Sequence, residues 1–161
     1  MKPEDYFKRF QNLRPEEEKK LEVRVDQDTI LRILWVDNDM VSPTALGRSM
    51  KRTLRVMGVI PAYIGINYAW QGQQAVDMAE DPIHKMIILD NDMNERGVAI
   101  GANTLMQIRD LMPDIPIVYT TSMPDQLSNY VKEKVQEVVR TTDIPVKLPE
   151  LILKYVRKAK P

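Results

Sequence analysis

The chain has no cysteine, a single histidine and only 6% aromatic residues. The first absence excludes disulfides, thiolate metal sites and a cysteine nucleophile together. The second excludes a multi-histidine zinc site, and His84 reads as a loop residue ahead of a strand. Net charge is missing too, because 23 basic residues meet 23 acidic ones. Without a basic excess there is no electrostatic footprint for nucleic acid, and none is expected as a partner. No apolar run approaches the roughly 20 residues of a membrane span. The opening Met1-Lys2-Pro3-Glu4-Asp5 lacks the basic-then-apolar order of a signal peptide. A cytoplasmic protein without membrane contact is the expectation. At 161 residues the chain has one domain's length and can bury roughly 70% of its unfolded surface without covalent staples.

What is present falls into two regions. Residues 1–29 are rich in charge, with Tyr6, Phe7, Phe10 and Leu13 at helical spacing. Arg14-Pro15-Glu16-Glu17-Glu18 then reads as a helix restart, with proline first and acids in the first turn. Leu21, Val23 and Val25 alternate with charges as a short strand would. This stretch is too short to bury a core alone and is expected as a helical extension of a main domain over residues 30–161.

From Ile30 the pattern alternates between strands and helices. Ile30 to Val36 is a mostly apolar run that stops at Asp37-Asn38-Asp39. Ser42-Pro43 opens a helix carrying Leu46, Met50, Leu54 and Met57, ended by Gly58. Ala62 to Ala69 is a second strand, and Gln71 to Glu80 a helix stopped by Asp81-Pro82. Lys85 to Leu89 is a short buried strand ending in Asp90-Asn91-Asp92, with a helix from about Thr104 to Met112 beyond it. Pro116 to Thr120 is a fourth strand ending in Thr121-Ser122. Ser122 and Pro124 open a helix with Leu127, Tyr130, Val131, Val135 and Val138. Asp143 to Lys147 reads as the fifth strand, and Pro149 as the start of a last helix with Leu151, Ile152, Tyr155 and Val156 inward. Such alternation implies an α/β fold, a doubly wound five-stranded parallel sheet covered on both faces. Its ligands belong at the carboxyl ends of the strands. The polar residues obey that rule: acids end the first and third strands, hydroxyls the fourth and a lysine the fifth.

Val36-Asp37-Asn38-Asp39, Leu89-Asp90, Pro116 to Ser122 and Val146-Lys147 resemble, in that order, the successive signatures of the response-regulator receiver family. The resemblance covers about residues 30–160 and implies a flavodoxin-like sheet in the order 2-1-3-4-5. It also implies roles. Asp90 would accept a phosphoryl group from a phosphohistidine or a small acyl phosphate. Asp37 and Asn38 would hold Mg²⁺ with Asp90 and the backbone carbonyl of Asp92. Thr121 would hydrogen-bond a phosphoryl oxygen, and Lys147 would pair with it. A histidine kinase or phosphotransfer protein is the implied donor, and a downstream protein partner or a homodimer the implied readout.

The chemistry asks for the same residue types. Mg²⁺ takes a few carboxylate and carbonyl oxygens and keeps several waters. A carboxylate attacking phosphorus must be screened from the phosphoryl charge by a cation, and a lysine opposite neutralises charge on the transferring oxygens. Any one of these acids could equally cap the helix that follows it.

Several positions depart from the family's pattern. Asn38 stands where the second acid of a pair is usual, so its carbonyl brings no charge to the metal. The loop from Asn91 to Gly97 lacks a Met-Pro step and is a few residues longer. Lys147 is followed by Leu148-Pro149, so the Lys147–Leu148 bond is expected trans. Ile144 stands three before the lysine, where the family has an aromatic ring. Pro145 inside the fifth strand suits an edge strand. The expected function is a stand-alone phosphoacceptor receiver that signals by partner binding, at most catalysing its own phosphorylation and dephosphorylation. The alternatives are a degenerate receiver acting as an interaction module and, from Asp90-Asn91-Asp92, a haloacid-dehalogenase-like phosphatase.

Overall fold

In the computed structural model, which describes residues 31–38 and 64–156, the apolar runs alternate between two cores. A strand sends successive side chains to opposite faces. From β1 (Leu31–Val36), Ile33 and Trp35 enter one core, and Leu34 and Val36 the other. The strand β3 (His84–Asp90) divides likewise, with Met86 and Ile88 on the first face and Ile87 and Leu89 on the second. A strand apolar on both faces is the mark of a sheet covered on both sides.

β2 (Ile64–Ala69) pairs with β1 at one edge of this sheet. After β3 comes a small antiparallel hairpin, β4 (Asn94–Glu95) and β5 (Val98–Ala99). The sheet resumes with β6 (Ile117–Thr121) and ends with β7 (Glu137–Arg140). The five long strands are parallel and lie in the order β2-β1-β3-β6-β7. With the hairpin set aside this is the expected 2-1-3-4-5 arrangement.

On one face, α1 (Gly72–Ala79), α2 (Gly101–Leu111) and α3 (Asn129–Glu133) contribute Ala75, Val76, Leu105, Ile108 and Val131 to a core with Ile87, Leu89, Ile117 and Tyr119. On the other, α4 (Ile144–Val156) lays Ile144, Leu151, Ile152 and Tyr155 over Ile33, Trp35, Met86, Ile88 and Val118. Each fully buried valine, leucine, isoleucine or methionine among them contributes about 1.5–3 kcal/mol by leaving water. None of the helices among the described residues is long and apolar enough to cross a membrane.

At the end of the sheet opposite the acids, one side chain ties several loops together. The Arg109 guanidinium, from the last turn of α2, donates to the carbonyls of Met112, Pro113, Ile115 and Lys134 at 3.2, 2.8, 2.8 and 2.7 Å. Gln136 Oε1 accepts from it and from the Ile117 N–H. The turns before β6 and β7 are thus fixed to α2.

Two expectations fail near the C-terminal half of the chain. The fifth strand is Glu137–Arg140, whereas residues 143–147 open α4. Ile144, Leu151, Ile152 and Tyr155 recur at helical spacing, and burying that stripe outweighs the strand-like look of a five-residue run. Pro145 sits in the first helical turn, where its missing N–H is one of the donors a helix leaves unpaired. The peptide bonds of the described residues are trans, Lys147–Leu148 included. The preceding helix also starts later than expected. A 3₁₀ turn covers Pro124–Gln126, and α3 begins after Ser128, whose Oγ accepts the Val131 N–H at 3.3 Å. Ser122 therefore does not cap it, and Val138 belongs to β7. The extension over residues 1–29, the helix expected from Ser42 to Gly58, and Asp39 lie outside the described residues.

Candidate functional site

The parallel strands deliver their polar ends to one edge. β1 stops at Val36, and the Asp37 N–H extends the ladder to the Ala69 carbonyl at 3.1 Å. β3 stops at Asp90, and the Asn91 N–H reaches the Thr120 carbonyl at 2.7 Å. Asp90 lies in register with Thr120, and Thr121 with Arg140. Asp37, Asp90, Thr120, Thr121 and Arg140 thus share the carboxyl edge of the central strands, where a doubly wound sheet binds its ligands.

Asp90 is buried, with 6% of its surface exposed. Its Oδ1 accepts the Asp92 N–H at 3.1 Å and the Thr120 hydroxyl at 3.4 Å. Burial pushes its carboxyl from the ordinary 3.8 up to about 6; the Asp92 N–H opposes this, while the Asp37 and Asp92 carboxylates add to it. Burial favours the uncharged form of a carboxyl, and a neighbouring negative charge adds to that effect. Tyr119 is pushed upward as well, by burial and then by Asp90 and Asp92, and its hydroxyl donates to Asn91 Oδ1 at 2.8 Å.

The loop after Asp90 is framed on every side. Arg96 and Gly97 have φ of 53° and 80°, the pair of positive values a two-residue hairpin turn requires. The Asn38 amide donates to the Asn94 carbonyl at 2.6 Å, and Glu95 Oε1 accepts the Gly72 N–H at the start of α1 at 2.7 Å. Met93 is buried in the second core, and its carbonyl accepts the Ile100 N–H at 3.0 Å. Gly101, at the start of α2, approaches the loop so closely that a Cβ there would lie 2.3 Å from the Asn91 carbonyl oxygen. The longer loop read in the sequence is therefore a hairpin wedged between β1, α1 and α2.

Asp92 turns its carboxylate away from Asp90. Its Oδ1 accepts the Thr121 hydroxyl and the Asn91 amide, both at 3.1 Å, and its Oδ2 accepts the Ser122 N–H at 2.7 Å. Partial burial pushes this carboxyl up, but the hydrogen bonds from Ser122, Asn91 and Thr121 prevail and hold it below the ordinary carboxylate value.

Of the residues singled out in the sequence, Asp37, Asn38, Asp90, Asp92 and Thr121 come together here. Lys147 does not. It is an exposed residue of α4, and its charge acts on Glu137, at the start of β7, away from the acids. Arg140 ends the fifth strand in its stead, with its guanidinium 3.2 Å from the Ser122 carbonyl. The sequence carried a signal for it: Val138-Val139 is a β-branched pair running into a basic residue. Ile144 is buried at the start of α4 and holds no position within the fifth strand.

Among the described residues no three His, Asp or Glu side chains gather into a metal cage. Mg²⁺ does not need one, since it is held by one or two carboxylates with waters retained. Asp37 and Asp90 are two carboxylates close enough for one to raise the other's pKa, and that donor set fits the ion.

No family model and no curated protein matches the chain. Solved structures do. A CheY-like response regulator receiver domain protein from Methanospirillum hungatei is 19% identical with a TM-score of 0.57, the match covering 80% of this chain and 95% of that one. The receiver domain of a sensor histidine kinase from Pseudomonas aeruginosa, with a magnesium ion coordinated in its active-site cleft, is 18% identical with a TM-score of 0.61, covering 79% and 98%. Response regulator TrrA from Thermotoga maritima, in complex with Mg²⁺–BeF, is 23% identical with a TM-score of 0.58, covering 78% and 98%. This chain has the fold of a response-regulator receiver domain.

Proposed function

We propose that the chain is a phosphoacceptor module of two-component signalling, and that Asp90 is its acceptor. The observation that carries this reading is the buried Asp90 carboxylate, at the end of the third long strand with Asp37 and Asp92 beside it and hydroxyls on the neighbouring strand. Oδ1 of Asp90 is engaged by Asp92 N–H and Thr120, so Oδ2 is the attacking oxygen. It forms a bond to phosphorus as the P–N bond of a phosphohistidine, or the P–O bond of an acyl phosphate, breaks and the leaving group keeps the electron pair. Asp37 and Asp90 would hold Mg²⁺, with the Asp92 carbonyl as a further oxygen, and the ion would offset the charge of carboxylate and phosphoryl group. The Thr121 hydroxyl would donate to a phosphoryl oxygen, and the Arg140 guanidinium supplies the cation expected of Lys147. A histidine kinase or phosphotransfer protein donates the group, and a protein partner reads the result.

A degenerate receiver is the second reading. It draws support from Asn38, whose amide is committed to the Asn94 carbonyl and brings no second charge to the metal. Incubation with acetyl phosphate and Mg²⁺, followed by intact mass, separates the two. The phosphoacceptor reading requires the mass of one phosphoryl group on the native chain and none on Asp90→Asn; an unchanged native mass would leave only the interaction module.

A further inference from the structure

The donors expected to receive a phosphoryl oxygen already hold an anion, and it belongs to the chain itself. Both oxygens of Asp92 are used, one by the Thr121 hydroxyl at 3.1 Å and the other by the Ser122 N–H at 2.7 Å. The Thr121 oxygen in turn accepts the Met123 N–H at 3.2 Å, which commits the hydroxyl proton to Asp92. The Arg140 guanidinium closes the rim through the Ser122 carbonyl at 3.2 Å. A hydroxyl and an amide N–H converging at a strand edge make a seat for an oxyanion, and hydrogen bonds to a charged acceptor are the strong ones.

We infer that the Asp92 carboxylate is the resident occupant of this seat and competes for it with any phosphoryl group on Asp90. The inference rests on the phosphoacceptor reading for the identity of the competitor. The two anions cannot share the seat: they would need the same two donors, and like charges at that distance repel. Asp92 is also tied to the acceptor, since its own N–H donates to Asp90 Oδ1 at 3.1 Å. A rotation of the Asp92 side chain alone therefore empties the seat while the backbone around Asp90 keeps its place. Two consequences follow. In the unmodified chain Thr121 and Ser122 are already drawn onto an anion, so their surface stands in the anion-bound arrangement. Phosphoryl transfer must first expel Asp92, which weakens binding of a phosphoryl group and of its analogues.

The test is a titration with beryllofluoride and Mg²⁺, followed through backbone amide NMR signals, on the native chain, Asp92→Ala and Asp92→Asn. Asp92→Ala should bind about tenfold more tightly or better, since two charge-assisted hydrogen bonds are released for the incoming anion. The Ser122 amide should shift upfield in unliganded Asp92→Ala and return on binding, while in the native chain it stays nearly in place because one anion replaces another. Asp92→Asn, which keeps the shape, should fall between the two. Equal or weaker binding by Asp92→Ala, or a Ser122 amide indifferent to the substitution, would overturn the inference. Should no variant bind beryllofluoride, the phosphoacceptor reading fails instead, and inorganic phosphate then tests the seat alone. Its binding to Asp92→Ala at Ser122 and Thr121, but not to the native chain, upholds the resident-anion assignment; binding to neither refutes it.

Discussion

Replacing Asp90 by asparagine should stabilise the protein, although it removes the proposed phosphoacceptor. The native fold holds the Asp90 proton more tightly than the unfolded chain does, because the pKa rises from 3.8 to about 6. A group with a raised acid pKa lowers stability as pH climbs through that window, since the native state must give up a proton it prefers to keep. At about 1.4 kcal/mol per pH unit, the ionised carboxylate costs the fold about 3 kcal/mol at pH values above about 7. Asparagine removes the charge and keeps an oxygen to accept the Asp92 N–H and the Thr120 hydroxyl. Its NH₂ also removes the repulsion from the Asp37 and Asp92 carboxylates, whose charges push the Asp90 carboxyl up. Allowing for water that reaches the ionised native side chain, the net gain should be about 1–3 kcal/mol at about pH 8. Urea unfolding of both proteins in EDTA measures it, and repeating the pair near about pH 4 should shrink the gain toward zero. Mg²⁺ should narrow the difference at the higher pH by binding only the native carboxylates. A variant no more stable than the native chain at high pH, or a gain independent of pH, would refute the argument that Asp90 is held ionised at a cost.

Arg109→Ala leaves the carbonyls of Met112, Pro113, Ile115 and Lys134 without their common donor; it should cost about 2–4 kcal/mol in urea unfolding, without altering Mg²⁺ affinity. Gly101→Ala drives a Cβ against the Asn91 backbone; a loss of about 1–3 kcal/mol is expected, together with amide shift changes across residues 91–95. Arg140→Ala should slow phosphorylation by acetyl phosphate about tenfold to a hundredfold, while Lys147→Ala leaves the rate unchanged, as intact-mass time courses would show.

Among the described residues the alternation of apolar runs carried the fold as far as α2, because β1 and β3 are buried on both faces and end at acids. It failed between Ser122 and Lys147, where local signals compete, and held again for the last helix with Leu151, Ile152 and Tyr155 inward. Ser122 with Pro124 makes a plausible cap, yet the chain forms only a 3₁₀ turn there, because Leu127 and Val131 reach the second core through a helix that starts after Ser128. The run Asp143 to Lys147 imitates a strand only when read without Leu151, Ile152 and Tyr155, which place Ile144 on the same helical stripe. The acids and Thr121 were legible because strand ends reveal themselves in sequence. The direction of the Asp92 side chain was not, since it depends on donors about 30 positions away, and neither was the hairpin turn, because Arg96-Gly97 is a weaker hairpin signal than Asn-Gly.

The central claim is that Asp90 itself carries the phosphoryl group, and borohydride reduction tests it most directly. An aspartyl phosphate is an acyl phosphate, which borohydride reduces to an alcohol, leaving homoserine at the modified position. After incubation with acetyl phosphate and Mg²⁺, reduction and peptide mapping should find homoserine at position 90 and nowhere else. Homoserine at position 92 or 37 would move the acceptor, and a peptide map without homoserine would contradict the claim outright.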